Sequence, residues 1–430
     1  MKPELPATGI LARMIQVATV LTGRSVLLCW SLVGALVNRR SRTEVWQRWL
    51  VGTITDLGPA FIKMAQLLST RADLVPPAVC AALGGLYDDV RPIPLAEPRP
   101  LLETRLGTTR IDPVAAGSIA CVYRAVLPDG RVVAIKVRRP GIGRVLAADL
   151  TIMRRAARLI VRLPMFRGVP VVEIIGQLTD SVYRQLDLAH ECDNLDRLRA
   201  NLTAFPAVRV PAVYREFCSE DVVVMEFIDD LRRVRPADLT EENRHNAVLA
   251  ALHAVYQMLF KDGLVHCDLH PGNLYPRRDG SVVIVDAGFT VALRPQAQDK
   301  FASFFHQMTE GDGQRCAEIV LSTATQRPDT DTEGFCGELR ELVERNTSVR
   351  AADFDLIDFA AKLFDIQRRY GLYADPQFVF PILSLVVLEG TIREFAPDLD
   401  FQSEAVPFLV RGTLERALRA WQATLVDEQA

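Results

Sequence analysis

The chain is poor in the features that mark several common protein classes. Its eight cysteines form no C-x-x-C pair and no zinc-ligand spacing, which argues against a disulfide framework and fits a reducing compartment. The formal charge is only -3 and the basic residues are scattered rather than striped, so nucleic acid is not an expected partner. No internal repeat or low-complexity segment stands out. The most apolar N-terminal run, Ser25 to Val37, is thirteen residues long, short of the roughly 20 needed to cross a bilayer. A cleaved signal peptide is not expected, because neither the n-region nor a small-residue cleavage pattern is convincing. No apolar tail follows the expected C-terminal helix Phe378–Glu394, which Pro381 and Glu389 should interrupt. What is present is bulk: 430 residues, 49% hydrophobic, enough for two or three domains.

The chemistry concentrates in His266-Cys267-Asp268-Leu269-His270-Pro271-Gly272-Asn273, followed by a hydrophobic run ending in Asp286-Ala287-Gly288. Phosphoryl-transfer enzymes place an acid, an amide and a second acid at this spacing around nucleotide and metal. Asp268 is positioned to accept a hydroxyl proton. Asn273 and Asp286 offer hard oxygen ligands suited to Mg²⁺ bridging phosphates. Ser281 to Val285 reads as the buried strand that delivers Asp286. Cys267 reads as a small buried filler rather than a nucleophile, and His270 as a residue that organises the loop.

Upstream, Arg131-Val132-Val133-Ala134-Ile135-Lys136-Val137 is a β-branched strand carrying a lysine. Pro128-Asp129-Gly130 signals the hairpin before it, with Ala120 to Leu127 as partner strand. Lys136 is expected to meet phosphates and to need an acidic partner on a helix; Glu191, within the charged stretch Asp187 to Arg199, is the candidate. The cover over the phosphates departs from the glycine-rich form. It reads Pro113-Val114-Ala115-Ala116-Gly117-Ser118-Ile119-Ala120, and alanines restrict a loop that glycines would leave free.

From about Asp56 to about Asp400 the chain resembles the UbiB family of atypical kinase-like proteins, whose eukaryotic members support coenzyme Q biosynthesis. The family's extension looks like Leu57 to Arg71, continuing through Asp73 to Pro77 and on to Asp88-Asp89-Val90. Its K-x-G-Q element falls on Lys63 to Gln66, its alanine-rich loop on Ala115, Ala116, Gly117 and Ser118, and its E-x-D element on Gln185 to Asp187. Its helix glutamate falls on Glu191. Met225-Glu226-Phe227-Ile228-Asp229 is similar to the hinge that holds adenine. Leu388 to Thr391 and Pro397 to Asp400 resemble the family's C-terminal helix and turn. The resemblance implies an α+β, two-lobed kinase-like fold with a helical N-terminal extension, ATP or ADP with Mg²⁺ as cofactors, and contacts from Glu226 and Phe227 to the nucleotide. It further implies that Lys63 and Gln66 project where a protein substrate would sit, favouring hydrolysis or a small lipid-like substrate.

Four positions depart from the family. Ala65 stands for glycine, Gln185 for glutamate, Gly117 sits among the alanines, and Ala287 replaces the phenylalanine of D-F-G. Gln185 removes a charge that would face Lys63, leaving Asp187 as the remaining anion. None of the four removes an expected nucleotide or metal contact.

Read without the family, Leu57, Phe61, Met64, Leu67 and Leu68 recur at helical steps, predicting one helix over Asp56 to Arg71. His245 to Asp262 predicts a helix that stops at Gly263. Between Pro295 and Val426 several amphipathic stretches, split by the polar run Thr323 to Gly334, predict a helical lobe. In the N-terminal segment, Arg13, Arg24 and Ser31 share one helical stripe on an otherwise apolar helix, as expected for one lying at a membrane interface or packed on the body. Arg39-Arg40-Ser41-Arg42 favours the cytoplasmic side.

The expected domains are therefore 1–45, an apolar or amphipathic helical segment; 46–105, the extension carrying Lys63 and Gln66; 106–228, the first lobe; and 229–430, the helical second lobe. The expected function is a Mg²⁺-dependent ATP-binding atypical kinase or ATPase near membranes, in isoprenoid quinone or related lipid metabolism. Two other readings stay open, a small-molecule phosphotransferase of the aminoglycoside- or choline-kinase type and a nucleotide-gated scaffold. Expected partners are nucleotide, a lipid or the inner membrane face, and biosynthetic enzymes; a homodimer is compatible but fixed by no feature.

Overall fold

The computed structural model describes residues 7–38, 41–71, 73–84, 86, 99–108, 110–117, 119–164, 169–232, 234–347 and 354–427. The chain divides into two compact units, one comprising Met1–His190 with Tyr214–Phe227, the other Glu191–Val213 with Ile228–Ala430.

The first unit opens with helices α1 (Ala7–Asn38), α2 (Arg42–Leu57), α3 (Pro59–Ser69), α4 (Pro77–Gly84) and α5 (Arg99–Leu106). The first three strands of a four-stranded sheet follow, β1 (Ile111–Ala116), β2 (Ala120–Val126) and β3 (Val132–Arg138), and after them α6 (Ile142–Ile160), α7 (Val171–Leu186) and the start of α8 (Leu188–Asn201). The chain passes into the second unit at Glu191 within α8, contributes β4 (Val208–Arg209) there, and returns at Tyr214 to lay down β5 (Val222–Glu226). Strand order is β1-β2-β3-β5, all antiparallel. The hairpin signal is realised: Asp129 accepts the Arg131 amide at 3.0 Å, and Gly130 adopts φ +88°. Tyr123, Ala125, Val133, Ile135, Val222 and Val224 form one side of the sheet's core with Leu102 and Leu106.

The single helix expected over Asp56 to Arg71 is two. Gly58 takes φ +100° and Pro59 begins α3, so α2 ends at Leu57 although the apolar stripe runs on. A positive φ favours glycine, and proline at a first helical position lacks only an N–H the helix leaves unbonded anyway. This junction is pinned from α1. Arg13 pairs with Asp149 of α6, Nε to Oδ1 at 2.7 Å, and also donates to the Leu57 carbonyl. Arg24 pairs with Asp56 at 2.6 Å, and Trp49 donates to the Arg24 carbonyl. The arginine stripe thus faces the protein body. Leu11, Ile15, Val26, Leu27 and Trp30 remain exposed, Trp30 by 74%. The apolar stretch also exceeds the thirteen residues read from sequence: Gly9–Leu32 is long and apolar enough to cross a membrane, by length and composition. Arg39, Arg40 and Asp88 to Val90 lie outside the described residues.

The second unit contains α9 (Glu241–Tyr256), β6 (Leu264–His266), β7 (Leu274–Pro276), β8 (Val282–Ile284), β9 (Thr290–Ala292), α10 (Pro295–Glu310), α11 (Gly313–Thr323) and β10 (Ala324–Gln326). It closes with α12 (Thr332–Thr347), α13 (Leu356–Arg369), β11 (Leu372–Ala374), α14 (Pro376–Phe395) and α15 (Phe401–Asp427). Between α9 and Gly263 the chain makes a π-helical turn, Gln257–Asp262, absent from the periodicity. Such turns recur at functional sites. The polar run after α11 starts with β10, which pairs with β11. Pro381 does not interrupt α14: the helix runs through it, carried by buried Val379, Phe380, Ser384 and Leu385. Glu389 also lies within the helix, where its carboxylate accepts the Leu356 amide at the start of α13.

α15 is fastened to the π turn. Gly412 lies against the Phe260 carbonyl, so close that an added Cβ would overlap it, and Arg416 donates to the same oxygen. Gly412→Ala should therefore cost about 1–3 kcal/mol by overpacking. Chemical denaturation checks this; an unchanged midpoint would mean α15 is not seated there.

Candidate active site

The segment from His266 to Gly288 is assembled within the second unit by one imidazole. β6 pairs with β9 through His266 and Thr290, and the Cys267 amide donates to the Phe289 carbonyl. This brings the two halves of the motif side by side. His266 is fully buried; its Nδ1 accepts the Asp268 amide at 3.1 Å, so Nε2 carries the proton that reaches the Asp286 carbonyl at 2.6 Å. Both carboxylate-bearing segments are thereby held by the same ring. Ser384 of α14 fixes the segment from behind, donating to the His266 carbonyl at 2.7 Å.

Burial lowers the His266 pKa from its ordinary value, outweighing the attraction of Asp286 and Asp268 for a proton. The ring is therefore neutral at physiological pH, as its acceptor role requires. An unfolded histidine protonates near 6.5 whereas the folded one resists, so its contribution is complete above about pH 6.5 and declines as pH falls through that value towards the lower folded pKa, at up to about 1.4 kcal/mol per unit. Stability of the parent and of His266→Asn measured from pH 8 to 5.5 checks this; equal slopes would refute it.

Asn273 Nδ2 donates to the Asp268 carbonyl at 2.8 Å, which leaves Oδ1 without a donor among the described residues. The Val285 amide donates to the Asn273 carbonyl at 3.1 Å, tying β8 to this loop. Asp286 Oδ1 accepts the Gly288 amide at 2.7 Å. Asp268 keeps its carboxylate partly exposed, 3.8 Å from His270 Nε2. His270 organises the loop by accepting the Gly272 amide at 2.9 Å. Burial and the Asp268 charge push the Cys267 thiol well above its usual range, so it is no thiolate nucleophile.

Glu191 is buried in the second unit, its Oε2 within 3.4 Å of where a side-chain carbon on Gly288 would begin. Three residues on, Asn194 donates to the Ala287 carbonyl at 3.1 Å. Sequence reasoning missed Asn194 and Ser384; the only signal for Asn194 was its i+3 spacing from Glu191.

The residues present suit Mg²⁺. Among the described residues no three His, Cys, Asp or Glu side chains gather into a cage. Mg²⁺ commonly takes only one or two protein oxygens with waters and phosphates completing its shell. The Asn273 Oδ1 and the Asp286 carboxylate meet that need.

In the first unit, Lys136 lies on β3 opposite Val122 and Val223. Ala115 and Ala116 are residues of β1 rather than of a loop, and the strand bulges between Pro113 and Ala115, where proline is tolerated. The turn itself is short, closed by the Gly117 amide on the Ala120 carbonyl at 2.8 Å, with Arg139 Nε donating to the Gly117 carbonyl. Ser118 lies outside the described residues. Glu226 ends β5, and Phe227 follows with the Arg124 guanidinium 5.4 Å over its ring.

Lys63 and Gln66 both lie on α3, which packs on α6 and α7. Gln66 is buried and donates to the Leu86 carbonyl at 3.2 Å, and Ala65 is buried beside it. Gln185 is buried on α7, its Nε2 without an acceptor among the described residues. Asp187 does not pair with Lys63. Its carboxylate accepts the Ala189 amide at 3.0 Å, opening α8.

The fold and these motifs define a kinase-like protein. The ABC1 atypical kinase-like domain matches residues 102–320. Curated relatives named probable protein kinase UbiB agree. That of Azotobacter vinelandii is 31% identical over 379 residues, 84% of this chain and 70% of its own length. That of Marinobacter nauticus is 30% identical over 371 residues, 83% and 68% respectively. The chain belongs to the UbiB family of ABC1 atypical kinase-like proteins. Among solved structures, a Mycobacterium tuberculosis protein in complex with erythromycin aligns over 71% of this chain and 84% of its own, at 22% identity and a TM-score of 0.47.

Proposed function

We propose that the chain is an ATP-binding, Mg²⁺-dependent atypical kinase or ATPase that works at a membrane surface in isoprenoid quinone or related lipid metabolism. The tie through His266 supports this reading, because one ring bonds the Asp268 amide and the Asp286 carbonyl and so keeps the two acid-bearing segments together. Asp268 accepts the proton of the attacking hydroxyl or water. Asn273 and Asp286 hold Mg²⁺, which neutralises phosphate charge. Lys136, the end of β1 at Ala115 and Ala116, and Gly117 and Ser118 next in the chain bind phosphates, while Glu226 and Phe227 bind the base; Glu191 takes the role of the family's helix glutamate.

Lys63 and Gln66, with Gln185 and Asp187, form the extension that disfavours protein substrates. The exposed apolar face of α1, opposite Arg13 and Arg24, supports a helix lying along a lipid surface. ATP turnover measured beside phosphate transfer to a generic protein substrate tests the reading. Turnover without transfer is expected; rapid transfer by the parent chain would contradict an excluding extension, and no MgATP binding would end the reading altogether.

A further inference from the structure

The second unit holds a cavity remote from the motif residues, between α10, α11, α13 and α14. It has a volume of about 40 Å³ and is lined by Phe301, Phe304, Phe364, Phe378 and Ile382. Two polar side chains line it with them: Thr323, whose hydroxyl is already spent on the Val320 carbonyl at 2.9 Å, and Gln367. Gln367 of α13 is 4% exposed, and its Oε1 accepts no hydrogen bond among the described residues. A buried amide without a partner is a cost that native proteins seldom leave standing.

The lining and the volume together restrict what could remove that cost. Cavities of about 150 Å³ take a benzene ring, so one of this size takes water or the end of a slim unbranched chain, not a ring. Apolar walls favour methylenes. A hydroxyl both donates and accepts, so it satisfies the amide while its chain fills the aromatic surround and leaves through the open side.

The wall of this cavity is also the support of the catalytic segment. Phe378 and Ile382 of α14 face the cavity, with Phe378 stacked on Phe301 at 6.4 Å. The same helix presents Phe380 edge-on to Phe289 at 4.9 Å and Ser384 to the His266 carbonyl at 2.7 Å. Each pair is four residues apart and so lies on one face of the helix.

We propose that this cavity binds the hydroxyl end of an unbranched aliphatic alcohol, with Gln367 as its polar anchor, and that occupancy is transmitted through α14 to the His266 segment. The regulatory consequence rests on the activity proposed above; the binding does not.

Saturation-transfer NMR on the full chain with 1-hexanol tests the binding. Transfer to the C1 methylene is expected, at least tenfold weaker in Gln367→Leu and for 1-methoxyhexane, which lacks the hydroxyl proton. Gln367→Leu removes an unpartnered amide, so it should fold at least as stably as the parent. Equal transfer in the variant, or none in the parent because the cavity admits only water, would overturn the site. Transmission is read from the ring resonance of isotopically labelled His266, which should move on adding 1-hexanol to the parent and stay fixed in Gln367→Leu. A fixed resonance in an alcohol-bound parent would overturn the coupling. In the parent, ATP turnover should change at least twofold with the alcohol. A chain that hydrolyses no ATP would instead sink the proposed activity, and both NMR readouts would still decide the cavity.

Discussion

Asp268→Asn should lower ATP turnover by about 10²–10⁴-fold, the usual worth of a positioned general base, while Mg-nucleotide affinity stays near the parent value. The separation follows from the bonding. Asp268 contributes its backbone to the scaffold, its amide to His266 and its carbonyl to Asn273. The substitution leaves both of those bonds in place and alters only the carboxylate. Asp286→Asn should behave in the opposite way. It removes a charge from the oxygens proposed to hold Mg²⁺, and Mg-nucleotide affinity should fall at least tenfold, about 1.4 kcal/mol. Calorimetric titration with MgATP beside single-turnover hydrolysis distinguishes the two. Equal loss of binding in both variants would mean that Asp268 is a ligand rather than a base.

The second large effect lies in the first unit. Arg13→Ala should destabilise the first unit by about 3–5 kcal/mol, because it strands a buried carboxylate. Asp149 is fully buried, and Arg13 grips both its oxygens, at 2.7 and 2.9 Å. Burial nonetheless raises the Asp149 pKa above its ordinary value even with the arginine beside it. Without Arg13 that pKa rises further, so the protonated form is favoured in the fold. A raised carboxyl pKa contributes stability at low pH that is lost as pH rises through the folded value. The Arg13→Ala deficit should therefore be smaller at pH 5 than at pH 8. Arg13→Met with Asp149→Leu should recover most of it, since an apolar pair of similar volume replaces the ions. Denaturation midpoints of the three variants at both pH values check this, and a deficit that does not depend on pH would refute it.

What could be read from the sequence was the part whose chemistry imposes spacing. Asp268, Asn273 and Asp286 stand at the intervals that serving one metal and one proton would demand, and the strand with Lys136 needs its β-branched neighbours and its Asp129-Gly130 turn. The remainder depends on contacts distant in the chain. The stripe from Leu57 to Leu68 keeps helical rhythm across Gly58-Pro59, so periodicity alone could not see the break. The π turn at Gln257–Asp262 changes the hydrogen-bond step, not the residue pattern. Pro381 was read by local propensity, which the burial of α14 overrides. Asp187 looked like the natural partner for Lys63, yet a carboxylate beside the free amides at a helix start finds its donors there first. Arg13 and Asp149 lie 136 residues apart, and nothing in either neighbourhood announces the other.

Ala287 has a pharmacological consequence. In ordinary kinases an aromatic ring at this point can swing out of its seat, and its packing sets active and inactive states. Here the seat holds only a methyl group, wholly enclosed, and Asn194 clasps the backbone oxygen next to it. Compounds that work by prising out such a ring would find nothing to displace in this protein. Selective ligands would have to act elsewhere in the protein.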